Sequence, residues 1–414
     1  MFKNFWYAVE FSTDLEVGKP KKVKILGQQL VLYRKNSDNS VVAMSDLCVH
    51  RGAALSGGTI KDDCIVCPYH GWEYSPDGAV QKVPAQPDKA IPRKARIDSY
   101  PTQEKYMFIW VYMGDLPEDE RPPIPDWSEI DDTETYRAVT GSFLWNSNYE
   151  RILENGVDVA HTPFVHGGVF GNPEKPEVPE FVMEESDWHC KISIVLNPPR
   201  SKGIWGMINP NRQALADRPP VPVSTTWYLP NMILLDVGTP MGAMKIFDVN
   251  IPIDDEWTLV KFVALRSFFK GKWADRDARR RVFKVLYEDQ AIVDNVRPEL
   301  LPFDLSAELH IKSDQNAVKY RRRRQGSSRR AGASKATRSS AKAAPGSRPG
   351  SSRPRRASPC PSWPMPGTSR RSAAARSSRA AARRHRPAWS TAWCCTTTIP
   401  LRSRPPRPMN PPPA

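Results

Sequence analysis

Two short Cys/His pairs, Cys48-Val-His50 and Cys67-Pro-Tyr-His70, stand sixteen residues apart. Two thiolates and two neutral imidazoles form a complete donor set for a [2Fe–2S] centre in which one iron takes both cysteines and the other both histidines. Exchanging two thiolates for imidazoles lowers the negative charge on such a centre and raises its potential to roughly −150 to +300 mV, so it can relay single electrons. Zinc is the competing occupant of any Cys₂His₂ set. Zinc motifs, however, pair like with like, as Cys-x-x-Cys with His-x₃₋₅-His, rather than interleaving the two. Cys64 competes for the second thiolate position, but only Cys67 stands at the Cys-x-x-His interval from His70, which leaves Cys64 as a small buried side chain. Gly52, Gly57, Gly58 and Gly71 permit tight turns around a cluster, Ser75-Pro76-Asp77-Gly78 reads as a hairpin turn, and Trp72 is expected to shield the site from water.

A second constellation follows in Asn155-Gly-Val-Asp158-Val-Ala-His161-Thr-Pro-Phe-Val-His166. The segment Tyr149 to His161 reads as a polar helix, with Asp158 and His161 three apart on one face. Pro163 disfavours helix at Thr162 and should end it just past His161, so that His166 returns to the same point. Two imidazoles and one carboxylate on Fe(II) leave positions open for dioxygen and substrate; the plain alternative is a pair of surface histidines. The carboxylate is chosen on burial. Asp289 has Val285, Leu286, Ile292 and Val293 at its helical neighbour positions, and an acid in an apolar stripe is costly unless paired or bound to a cation. Glu288 faces Lys284 and Ala291, while Asp294 faces Gln290 and Arg297, so these two read as solvated or salt-bridging acids.

Positioning such groups asks for two domains, which 414 residues can supply. From Lys21 to Tyr112 the chain is β-rich, with strands expected at Val23–Leu26, Leu30–Tyr33, Val41–Met44 and Tyr106–Tyr112. The proline-rich stretch Leu116 to Trp127 marks a boundary, giving a first domain over 1–120 and a second over 121–320. In the second, strands are expected at Lys191–Leu196, Val223–Leu229, Met232–Val237, Lys245–Ile253 and Thr258–Ser267, and a helix over Asp275–Val296, an α+β domain closed by its last helix.

The formal charge of +15 belongs to the end of the chain. Residues 321–414 hold 23 of the 60 Lys and Arg and none of the 45 Asp and Glu; residues 1–320, with 37 bases and 45 acids, carry −8. The end segment is rich in Arg, Ala, Ser and Pro and cannot bury a core. It lacks the aromatic framework of a nucleic-acid binder. It reads either as a disordered basic tail or as a GC-rich gene translated out of frame after Tyr320, the explanation we favour. No signal peptide and no run of about 18 apolar residues is visible, so a cytoplasmic protein without membrane or nucleic-acid partners is expected.

Cys48-Val-His50-Arg51-Gly52 and Cys67-Pro-Tyr-His70-Gly71-Trp72 resemble the cluster loops of the Rieske non-haem iron oxygenases, a family that includes ring-hydroxylating oxygenases, monooxygenases and demethylases. The resemblance implies an N-terminal all-β Rieske domain followed by a helix-grip catalytic domain, an antiparallel sheet wrapped on a long C-terminal helix. It implies a [2Fe–2S] cluster on Cys48, His50, Cys67 and His70, a mononuclear Fe(II) on His161, His166 and Asp289, and dioxygen as co-substrate. It also implies that Asp158 bridges His70 of one chain to His161 of the next in a homotrimer. Electrons would come from NAD(P)H only indirectly, through a separate reductase or ferredoxin, since the chain has no flavin or nicotinamide motif. The implied function is hydroxylation or oxidative demethylation of a small organic, aromatic substrate, in a pocket expected to include Val169, Phe170, Ile204, Trp205, Trp227, Leu229, Leu234 and Phe247. The alternatives are a Rieske electron carrier and an inactive homologue lacking the catalytic iron.

Overall fold

A computed structural model gives the structure of residues 2–167, 171–196, 220–239 and 241–326. Three small antiparallel sheets form the first domain. Strands β2 (Lys21–Ile25), β3 (Gln28–Arg34), β4 (Val41–Ser45) and β9 (Ser99–Tyr100) make one. A second, from β5 (Thr59–Lys61), β6 (Cys64–Val66), β7 (Glu73–Tyr74) and β8 (Val80–Lys82), carries the second Cys/His loop, between β6 and β7. The expected strands fall close to where their apolar runs placed them.

The third sheet pairs β1 (Phe5–Phe11) and β10 (Thr102–Lys105) with β11 (Phe108–Met113). Every residue of β1 and β11 is buried, which explains why β1 shows no alternation: both its faces are covered. Trp127 joins this aromatic layer to the second domain, its ring 5.8 Å from Trp110 on one side and 5.2 Å from Phe247 on the other. A buried ion pair spans the same interface, Glu10 of β1 meeting both Lys261 and Lys21. Burial alone would raise the Glu10 carboxyl, but hydrogen bonds from the two lysines outweigh it and hold it below the usual range.

The second domain is one seven-stranded antiparallel sheet in the order β12-β18-β17-β16-β15-β14-β13, running from Arg137–Trp145 (β12) and Thr258–Arg266 (β18) through Gly242–Pro252 (β17), Met232–Thr239 (β16), Val221–Tyr228 (β15) and His189–Leu196 (β14) to Val182–Glu185 (β13). Two helices cover one face. Helix α1 (Tyr149–Val157) is capped by Asn148, whose side chain accepts from Glu150 N. It lies so close to the sheet that a Cβ on Gly156 would stand 2.5 Å from Ile233 Cδ1. After a second, one-turn helix, α2 (Thr162–Val165), helix α3 (Asp275–Val293) packs Val282, Leu286 and Val293 inward, with Asp289 on the same buried stripe. Its first residue, Asp275, is held by Arg137 of β12 at 2.7 Å and by Arg266 of β18, and these hydrogen bonds bring its carboxyl down to about 2.

The chain is helical again from 315 to 326, so the boundary drawn at Tyr320 falls inside an element. Arg321 is buried and its guanidinium bonds Glu154 at 2.7 and 2.8 Å, while Arg323 meets Glu185 at 3.1 Å. Composition could not show this, because Glu154 and Glu185 lie more than a hundred residues away in sequence. The rest of the segment, 327–414, and with it the expectation of a disordered or frame-shifted tail, lies outside the described residues.

Candidate metal centres and the substrate cavity

The two Cys/His loops are built alike. In the first, Cys48 N bonds Ala53 O and Gly52 N bonds Cys48 O; in the second, Cys67 N bonds Trp72 O and Gly71 N bonds Cys67 O. Both glycines sit at positive φ, 68° and 69°, where a side chain would be strained. Cys48 and Cys67 are buried and face each other; burial pushes the Cys67 thiol up, and Cys48 beside it adds to the rise. His50 and His70 bring their Nδ1 atoms to 3.2 Å at the exposed edge. Sulfur donors inside and nitrogen donors outside fit a cluster with one two-thiolate iron and one two-imidazole iron. Trp72 stacks on the His50 ring at 4.7 Å, 3° from parallel. Tyr74, fully buried, places its hydroxyl 3.0 Å from Cys48 Sγ and accepts from Val49 N. Its position was not foreseen from sequence.

At the second site, His161 Nε2 lies 3.5 Å and His166 Nε2 3.0 Å from Asp289 Oδ1. All three ligand atoms fall within 4.8 Å of one another. Asp289 Oδ1 is buried and accepts no hydrogen bond, the condition of an oxygen suited to a cation. The three residues therefore fit a 2-His-1-carboxylate metal site. An acid stands behind each imidazole: Glu288 Oε2 is hydrogen-bonded to His166 Nδ1 at 2.9 Å, whereas Asp158 Oδ2 lies 3.4 Å from His161 Nδ1, which makes no hydrogen bond. Carboxylates in that position fix the ring tautomer and raise the basicity of the liganding nitrogen. Asp289 and Glu288 outweigh burial and raise the pKa of His166.

Two expectations need correction here. Asp158 and His161 do not share a helical face. Helix α1 ends at Val157, and Asp158 is extended, with φ −76° and ψ 134°; its carboxylate accepts from the amides of Ala160 and His161. That cap starts a new turn, and Pro163 opens α2 rather than closing α1, because proline suits the first turn of a helix, where no N–H is needed. Desolvation would raise the Asp158 carboxyl, but the imidazole of His161 beside it and these amides hold it below its usual value. Glu288, read as a solvated or salt-bridging acid, does reach toward Lys284 at 3.6 Å, but its other oxygen also holds His166, which the reading did not include.

Between the sheet and the helices a cavity of about 290 Å³ opens beside this triad, walled by residues such as Trp145, Ile152, Ile194, Ile233, Ile246 and Leu286. Four of the expected pocket residues lie elsewhere. Leu234 and Phe247 point from the opposite face of the sheet into the core shared with the first domain, and Trp227 and Leu229 are buried in that core as well. Strand parity decides this: Leu234 pairs with Phe247, whereas the cavity-facing Leu235 pairs with Ile246. Val169, Phe170, Ile204 and Trp205 lie outside the described residues.

The Rieske [2Fe-2S] domain family matches residues 5–101, and the vanillate O-demethylase oxygenase C-terminal domain family matches residues 145–330. The chain belongs to the Rieske non-haem iron oxygenases. The methylxanthine N1-demethylase NdmA of Pseudomonas putida is 29% identical over 329 residues, 77% of this chain and 87% of that protein. The vanillate O-demethylase oxygenase subunit of a Pseudomonas strain is 27% identical over 343 residues, 77% and 93% of the two chains. The solved structure of NdmB from Pseudomonas putida superposes with a TM-score of 0.64 at 26% identity, covering 77% of this chain and 89% of that one. That of dicamba monooxygenase with dicamba gives 0.64 at 21% identity over 80% and 98%, a likeness of fold. This Rieske oxygenase is thus a terminal oxygenase component of a family that uses a [2Fe–2S] cluster, a mononuclear iron and dioxygen, and that takes its electrons from a separate reductase or ferredoxin. Among the described residues no helix is long and apolar enough to cross a membrane.

Proposed function

We propose that this oxygenase removes a methyl group from, or hydroxylates, a small aromatic molecule held in the 290 Å³ cavity. The observation that carries the reading is the convergence of His161 Nε2, His166 Nε2 and Asp289 Oδ1 on one point at the wall of that cavity. An engineered cavity of roughly 150 Å³ takes benzene, so twice that space suits a substituted ring. The substrates named for two relatives, methylxanthine and vanillate, are of this size class.

In this reading the domains are 1–120 and 121–326, the cluster is held by Cys48, His50, Cys67 and His70, and the iron by His161, His166 and Asp289. When bound, these groups supply reduction and dioxygen activation; the chain supplies geometry. Glu288 holds a proton at Nδ1 of His166, which leaves the Nε2 lone pair directed at the metal position, and the charge of Asp158 stands behind His161. Trp145, Ile233, Ile246 and Leu286 exclude water and press the ring of the substrate toward the same point.

The chain is read as a homotrimer in which His70 of one chain docks near Asp158 of the next. Supporting this, the edge of His50 and His70 is exposed, and Asp158 also borders a second depression lined by Ile292, Leu309 and His310. Leu309 there is 92% exposed, which suits a subunit contact. The partners are a reductase or ferredoxin, and the compartment is the cytoplasm, on the ground that thiol ligands need reducing surroundings.

The test is turnover of methylated aromatic compounds by the iron-loaded enzyme with NADH and a generic reductase, read as formaldehyde or hydroxylated product. The reading predicts product from the wild type and none from His161→Ala, with the cluster signal intact in both. A chain that holds the cluster but no third iron is an electron carrier, and the proposal fails.

A further inference from the structure

Strand β17 turns Ile246, Asp248 and Asn250 into the cavity by its two-residue period. A carboxylate thus stands on the wall of an apolar chamber, with Ile233 and Phe262 across the ladder on either side. Asp248 is not a ligand of the triad and takes no part in backing its imidazoles. Its Oδ1 is sealed from solvent and accepts no hydrogen bond. Asn250 Oδ1 is in the same condition, and its orientation is fixed because Asn250 Nδ2 donates to Asn231 O at 3.1 Å. Two neighbouring acceptors without donors are costly to bury. Asp248 is half-buried and lines the chamber.

The charge of the wall points the same way. Among the described residues, neither Lys nor Arg lines the chamber. A carboxylate substrate would find no counter-charge on the β17 wall and would face Asp248 directly.

We infer that Asp248 selects substrates that present a hydrogen-bond-donating nitrogen, a protonated amine or an N–H heteroaromatic ring, over substrates that present a carboxylate. The inference rests on the cavity being the substrate chamber of the oxygenase. With the nitrogen on β17, the remainder of the ring lies across the chamber toward His161, His166 and Asp289, all of which line it.

The test uses three probes of one shape, para-methoxybenzylamine, para-methoxytoluene and para-methoxybenzoate, with binding to the iron-loaded, anaerobic enzyme measured by equilibrium dialysis. One hydrogen bond to a charged group corresponds to about tenfold or more in affinity, so the amine should bind at least about tenfold more tightly than the benzoate. Asp248→Asn should remove about tenfold from the amine and leave the toluene unchanged within about twofold. Asp248→Leu, which removes the unpartnered oxygen as well, should raise the melting temperature and abolish the amine preference; it keeps the test decisive if the Asn variant folds poorly. A benzoate that binds as tightly as the amine, or an amine preference that survives in both variants, overturns the inference. Iron content and the cluster signal of the same preparation separate the two readings. A protein with both metal centres that prefers benzoate loses only the selectivity; one without the third iron loses the oxygenase reading, whichever probe it binds.

Discussion

Replacing Glu288 by Gln keeps the length of the side chain and an acceptor for His166 Nδ1, now 2.9 Å from Glu288 Oε2, but removes the charge behind the imidazole. A hydrogen bond with an ionised partner is worth roughly twice a neutral one, a difference of about 1 kcal/mol. Loss of an outer carboxylate on a liganding histidine lowers metal affinity by about 10- to 100-fold. We therefore expect Glu288→Gln to weaken Fe(II) binding about tenfold, about 1.4 kcal/mol, and Glu288→Ala to approach a hundredfold. The contact of Glu288 with Lys284, at 3.6 Å and well exposed, contributes little, so Lys284→Met should bind iron as the wild type does. The assay is anaerobic competition for Fe(II) against a chromophoric chelator, with the cluster absorbance of the same chain as the internal reference. Wild-type affinity in Glu288→Ala, or an equal loss in Lys284→Met, refutes the reasoning.

Tyr74→Phe deletes a hydroxyl 3.0 Å from Cys48 Sγ; at about 1 kcal/mol for the bond, the cluster potential should fall by about 40 mV in a redox titration, and an unchanged or higher value contradicts that role. Lys261→Met leaves Glu10 buried at the domain interface with Lys21 alone and should cost about 3–5 kcal/mol in denaturant unfolding, most of it recovered when Glu10 is also made apolar; a cost under about 1 kcal/mol would refute the buried pair. Asp275→Asn should cost about 1–2 kcal/mol near neutral pH. Because the folded carboxyl titrates at about 2, below its usual 3.8, its contribution is complete above the usual value and is lost as pH falls through about 2. The gap in melting temperature between wild type and variant should therefore close on acidification, and a gap that widens toward low pH would contradict the assignment.

Both donor sets were legible because their logic is local. Cys48-x-His50 and Cys67-x-x-His70 each fit inside one turn, and Asp289 stood out as an acid in an apolar stripe of a helix whose limits periodicity gave closely. What was not legible depends on contacts between distant segments. Glu288 looks solvated beside Lys284 until His166, more than a hundred residues earlier, is brought against it. Arg321 and Arg323 belong to an ordered helix only because Glu154 and Glu185 await them. Leu234 and Phe247 were misplaced because parity on a strand is set by register, which hydrophobicity cannot reveal when both faces are buried. Asp248 carried a readable signal, an acid in the inward row Ile246-x-Asp248-x-Asn250 of a strand. The break at Asp158 could have been inferred from an acid followed five residues later by proline.

The most direct test is metal and sulfide analysis of the anaerobically purified chain, combined with electron paramagnetic resonance after dithionite reduction. The account predicts about three irons and about two inorganic sulfides per chain, a low-g rhombic signal, and a fall to about two irons in Asp289→Ala with the signal unchanged. A colourless protein without that signal, or an Asp289→Ala variant that keeps the full iron complement, would contradict it.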